Sequence, residues 1–463
     1  TNFINTTTAN LAALATASAG VTINSAIYAS GNITVNAVST SNAIDYSVAI
    51  TSTAGNVTLN GGTTTVRGVY NSTASTITAN NITILGTSSG SPTWILQIGA
   101  LTINSASIGG SISLTGNYIA TPGTLGGIYQ IGAIAGARGS NISFISNNNI
   151  QQYGAITLAA NTSGVAANIT YDVTTGNKTS LVLTGAISIP TGSTSAINYI
   201  IKSAGSAINP AAIGTSTLVF PGYVLIDNTY GCSGSGCTPV SGFINTTTAN
   251  LASLATTSVG ATINNVIYAS GNITINAAST SNAIDYSAVI YSTAGNVTLN
   301  GGTTTLRGVY NSTAATITAN NITILGTSSG NPTWDVQIGA LTINSASIGG
   351  SISVTGNYIG TPGALGGVYQ TGAITGASGS NISFISNNNI QQYGAINLVA
   401  NTSGTAANIT YDITTGNKTS SVLAGALSIP TGSTSAINYI IKTAGSAINP
   451  AAIGTSTLVL PGY

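Results

Sequence analysis

Gly31–Asn36 reads GNITVN, Gly55–Asn60 reads GNVTLN and Gly99–Asn104 reads GALTIN. In each, apolar and hydroxyl side chains alternate behind a glycine. That alternation is the period-two signature of a strand with one buried face. The runs are rich in β-branched residues and bounded by Gly, Asn or Ser, which favour turns. The same grammar returns at Gly20 (VTIN), Asn80 (NITILG), Gly110 (SISLTG), Gly139 (SNISF), Gly154 (AITL) and Gly185 (AISI). Motif starts lie about 11 or about 20–24 residues apart, the range of small solenoid repeats. The shorter step suits two faces of one coil, the longer a whole coil. Helical periodicity is nearly absent, and Thr8–Ser18 (TANLAALATAS) is its best, short instance.

A larger repeat overlies the small one. Shifted by 240 residues, Phe3–Tyr223 aligns with Phe243–Tyr463 without a gap, and about 32 of roughly 221 positions differ. Several differences are near volume-conserving (Val35/Ile275, Val66/Leu306, Leu114/Val354, Ile128/Val368), which packed interiors tolerate best. The expected organisation is a first copy over 1–223, a Gly/Ser-rich junction over 224–242 and a second copy over 243–463. The chain has no initiator Met, no signal peptide and no apolar run of membrane-spanning length, so it reads as a segment or processed piece of a longer tandem array.

Short strands also build sandwiches and barrels. A parallel β-helix is favoured because the motif continues through each copy without a natural end. Equivalent side chains would stack into Ile, Val, Asn and Thr ladders, and every strand edge would be covered by the next coil. Charge normally guards exposed edges, and this chain has almost none to offer. The expectation is an all-β parallel β-helix with about ten or eleven coils per copy, roughly 50 Å long at the ~4.8 Å strand spacing.

The GNITVN, GNVTLN and GALTIN coils, SNISFISNNNIQQYGAITLAANTSG at Ser140–Gly164 and NITYD at Asn168–Asp172 resemble filamentous-haemagglutinin-type exoproteins. These are large bacterial surface proteins of two-partner secretion. The resemblance covers nearly all of each copy and rests on coil texture. It implies a right-handed coil, a passenger region lacking the amino-terminal secretion domain, and an extracellular or cell-surface fibre for adhesion, aggregation or matrix.

Composition excludes several functions. Charged residues are 3% of the chain, against about a quarter in an average protein. Hydrophobic residues are 43%, which with a net charge of +1 opposes disorder. Seven Lys+Arg make no basic stripe for nucleic acid. His is absent, as is Glu, which removes the usual general acids and bases. Asp172 and Lys178 could face each other across a turn, but as a solvated pair. Arg138 becomes Ser378 and Ile95 becomes Asp335 in the second copy, so those positions are poor catalytic candidates. Six Asp cannot line calcium-binding coils, so no metal or other cofactor is expected.

Cys232 and Cys237 sit in the junction, four Gly/Ser residues apart, and a disulfide is the natural reading in a secreted context. Two thiols with no His or Glu nearby cannot complete a zinc shell. Asn-x-Ser/Thr triplets are numerous, and Asn32, Asn56, Asn71, Asn161 and Asn177 are candidate N-glycosylation sites. Their number is close to what composition alone supplies, and a ladder of stacked Asn explains those inside strands. An ice-binding face would need regular Thr columns. Thr63–Thr65 and Thr76–Thr78 come nearest, but Thr does not recur coil by coil in the sequence. Tyr recurs about once every coil or two, for capping the core at corners rather than stacking on sugars.

The expected function is a non-catalytic extracellular or cell-surface structural and adhesive fibre. Its partners would be copies of itself and cell-surface glycans, with no nucleic acid and no transmembrane segment. A self-assembling sheath, filament or surface-layer component is the alternative, and a carbohydrate-active β-helix a third reading.

Overall fold

The computed structural model describes residues 3–90, 92–119, 126–175, 181–188, 190–204, 208–230, 242–255, 259–330, 332–344, 346–360, 366–415, 421–428, 430–443, 448–453 and 459–463. The chain forms two compact units, Thr1–Cys232 and Ser233–Tyr463. Each is a parallel β-helix, and no helix occurs among the described residues.

One coil of the first unit shows the construction. Ile27–Ala29, Ile33–Ser39 and Ile44–Tyr46 are three strands separated by sharp corners. Each pairs in parallel with its counterpart one coil on: Ile27 with Ile50, Ile33 with Val57, Ile44 with Val69. Three parallel sheets result. Two contain eight short strands each, and the third holds the long strands, of which Ala9–Ala15 is the first and Phe220–Asn228 the last. The second unit repeats the arrangement, with Ile267–Ala269, Ile273–Ser279 and Ile284–Tyr286 as the matching coil.

Alternation does what the sequence implies. Ile33–Ser39 buries Ile33, Val35, Ala37 and Ser39 and turns Thr34, Asn36 and Val38 outward. Stacking then places like on like: Ile33, Val57, Ile82, Ile112, Ile142 and Ile169 form one inward column, all fully buried. Burying an Ile of this size contributes roughly 1.5–3 kcal/mol. The inward column two residues on, from Val35 through Leu59, Ile84 and Leu114, turns aromatic at Phe144 and Tyr171, and Tyr199 follows Ile169. Phe144, Tyr171, Tyr199 and Phe220 are buried ring against ring, with centroids 4.8, 5.7 and 6.5 Å apart.

Two expectations are corrected. Among the described residues each unit has eight three-strand coils rather than ten or eleven, giving about 38 Å of stacked strands, and the first unit adds a ninth long strand. The coil has three faces rather than two, because each turn carries two short strands as well as the long one. The best helical pattern, in Thr8–Ser18, contains the strand Ala9–Ala15, whose inward residues alternate and pair with Ile33–Ser39. Val224–Asn228, placed at the start of the junction, continues the last long strand, with Val224 opposite Tyr199 and Asp227 opposite Lys202. Cys232 and Cys237 lie outside the described residues.

Candidate functional site

The long-strand sheet carries the most regular outward surface. Asn32, Asn56, Asn81, Ser111, Asn141, Asn168 and Asn198 occupy one column, one residue per coil. They are tied to one another from coil to coil. Asn32 Oδ1 accepts the Asn56 backbone N–H at 2.9 Å, and Asn81 Nδ2 donates to Asn56 Oδ1 at 2.8 Å. Asn81 Oδ1 accepts from both the N–H and the hydroxyl of Ser111. Higher up, Asn168 Nδ2 donates to Asn141 Oδ1 at 2.8 Å and Asn198 Nδ2 to Asn168 Oδ1 at 2.9 Å. This is the Asn ladder expected from the strand motifs.

Two residues further along each strand lies a second column: Thr34, Thr58, Thr83, Ser113, Ser143 and Thr170. These side chains are half-exposed or exposed, and their hydroxyls have no hydrogen-bond partner among the described residues. The sequence masked this regularity, because the spacing from one column member to the next runs from 24 (Thr34 to Thr58) to 30 (Thr83 to Ser113). The corners absorb the difference and the sheet does not. The Thr segments singled out from sequence lie elsewhere: Thr64 is buried, and Thr78 belongs to a short-strand sheet.

The glycosylation candidates separate by burial. Asn32 and Asn56 are exposed members of the ladder. Asn71 and Asn161 are fully buried, which takes their amides out of reach of a glycan in the folded chain. Asn161 Nδ2 donates to the carbonyls of Val165 (2.9 Å) and Ala196 (2.7 Å), while its Oδ1 accepts from Ser163. Asn71 Oδ1 accepts the Thr73 and Ser75 N–H groups, holding a corner in which Ala74 has φ of 59°. Asn177 lies outside the described residues.

The aromatic residues also divide. Tyr46, Tyr171 and Tyr199 are core residues, whereas Trp94, Tyr129 and Tyr153 form an outer row. Trp94 and Tyr129 stack at 5.1 Å with 15° between planes, so those ring faces are spent on each other. Arg67 covers the Tyr70 ring at 4.4 Å from its centroid. The same contacts recur between Trp334 and Tyr369 and between Arg307 and Tyr310.

Charges form no catalytic cluster among the described residues, and no group of three metal-ligating side chains occurs there. Lys178 is outside the described residues, and the register partner of Asp172 is Lys202, which is followed by Asp227. Asp412 and Lys442 stand 4.0 Å apart in the second unit, half-exposed and worth under ~1 kcal/mol. Burial raises the Asp45 carboxyl, against the lowering pull of Asn42 and the Arg67 guanidinium.

Asp335 is different. It replaces Ile95, a fully buried residue, and is itself fully buried. Burial pushes its carboxyl up to about 7, against the Gly367 N–H that donates to Oδ2 at 2.6 Å. Oδ1 is buried with no partner among the described residues. Comparison of the two copies flagged the position, but not its burial.

No protein-family model matches the chain, and neither a curated protein nor a solved structure matches it. No helix among the described residues is long and apolar enough to cross a membrane.

Proposed function

We propose that this chain is a non-catalytic, extracellular fibrous protein whose role is structural and adhesive. The observation that supports it most is the treatment of the outward columns by the repeat. None of the differences between the copies falls on the Asn and hydroxyl columns, or on Trp94, Tyr129, Tyr153, Arg67 and Tyr70. A chain that duplicates one surface without altering it presents the same contact twice. Duplication multiplies weak contacts through effective concentration. The disulfide expected at Cys232 and Cys237 would belong to the junction, and cell-surface glycans are the partners such a surface would meet. The test is retention of the purified full chain on cells and on immobilised glycans. Retention that resists washing supports the reading, and passage at the void volume on every surface removes it.

A self-assembling sheath or filament is the second reading, favoured by the scarcity of charge. Charges of one sign keep copies of a protein apart, and a net charge of +1 on 463 residues does little of that. Negative-stain microscopy of the full chain at neutral pH decides it: ordered filaments or sheets support assembly, and dispersed single particles oppose it.

A further inference from the structure

The long-strand sheet presents a rigid, two-dimensional array of polar groups whose occupant must be as regular as the array. Neighbouring members of a column are one strand spacing apart, about 4.8 Å, and the Asn and hydroxyl columns are two residues apart along the strand, about 6.7 Å. Six successive coils keep this pattern from Asn32/Thr34 to Asn168/Thr170, with Ser111/Ser113 as the one pair without Asn. Register shifts occur in this sheet, but beyond the columns, at Ala37/Ser39 and Gly86/Thr87. The Asn side chains are held by the ladder, so they add no rotamer entropy for a ligand to remove. The hydroxyls beside them are open to solvent.

The array is also uncharged. Asp172, Lys202 and Asp227 begin only at its far end, in the next column over. A flexible ligand would gain little from such repetition, and an ionic one would find no counter-charge. A lattice of water gains from both features. Fixed hydroxyls and amides at these spacings can each hold one water, and the spacings lie close to repeats of oxygen positions in hexagonal ice. Waters bridging fixed polar groups bond nearly as well as direct partners. The threonine methyls beside them favour a cage-like arrangement of that water.

We propose that the Asn and hydroxyl columns of the long-strand sheet form an ice-binding face, present once in each unit. The second face comprises Asn272/Thr274, Asn296/Thr298, Asn321/Thr323, Ser351/Ser353, Asn381/Ser383 and Asn408/Thr410, residue for residue the same. The proposal does not depend on the adhesive reading, since ice binding needs no cell.

The test is ice growth in the presence of the full chain. Faceted crystals, a gap between melting and freezing points and suppressed recrystallisation are expected. The double variant Thr83→Lys/Thr323→Lys places a long cation at the centre of each face and should abolish all three effects. Thr78→Lys/Thr318→Lys, on a short-strand sheet, should leave them intact. Both pairs are surface positions, and unchanged circular dichroism and melting confirm folding. Round, unshaped crystals with the unaltered chain overturn the proposal, as does equal loss in both variants. If ice grows freely while the first variant alone abolishes sedimentation as an assembly, the face joins copies of this chain and the ice reading falls.

Discussion

Asp335 shows how one side chain changes a coil without changing the fold. At the matching position, Ile95 packs against Gly86 and Gly126 across the slot between coils. The buried carboxyl has one N–H donor among the described residues, so burial favours the proton-bound form. The consequence for stability has a definite sign. The unfolded chain releases this proton near pH 3.9, the folded one near 7. Between those values the folded state holds more protons, so stability falls as pH rises, by at most on the order of 4 kcal/mol. We expect the full chain to melt at lower temperature at pH 8 than at pH 5. Asp335→Ile should recover most of the difference at pH 8. A pH profile unaltered by that substitution would sink the account.

At the scale of the element, corners and ladders divide the work of asparagine. An exposed ladder Asn trades its bonds with water, whereas a buried corner Asn has no such substitute. Asn161 serves two backbone carbonyls together with the N–H and hydroxyl of Ser163. Asn161→Ala should therefore cost at least about 2 kcal/mol in denaturant unfolding. Asn56→Ala should cost about 1 kcal/mol or less. Equal losses would show that the ladder, not the corner, sets stability. The corner glycines are a second constraint: a Cβ on Gly55 would stand 2.3 Å from the Gly31 carbonyl carbon of the preceding coil. None of this division was legible from Asn-x-Ser/Thr triplets, because the same three letters serve strands and corners alike.

For the whole molecule, stability must come from stacked apolar columns and backbone ladders, since charge is too scarce to matter. Raising ionic strength from about 0.01 to 0.15 M shortens the screening length from about 30 to 8 Å. Most proteins respond through many pairs, but here a half-exposed Asp412–Lys442 pair and the Asp45–Arg67 neighbourhood are among the few contributors. The melting temperature should move by less than about 2 °C, under 1 kcal/mol for units of this size. A larger drop with sodium chloride would point to charge networks that the register does not show.

Taken alone, the sequence determined the strand content, the parallel β-helix and the duplication. Period-two alternation is local, and the Ile and Asn columns repeat similar residue types from coil to coil, with Val57 and Ser111 as exceptions. Only the tertiary structure decided the number of coils, the third face, the burial of Asn71, Asn161 and Asp335, and the alignment of Thr34 with Thr58, Thr83 and Thr170. The physical reason is that register is a non-local quantity. Corners of unequal length move residues apart in the chain while parallel pairing brings them back to one strand spacing, so the columns exist only once the coils are stacked.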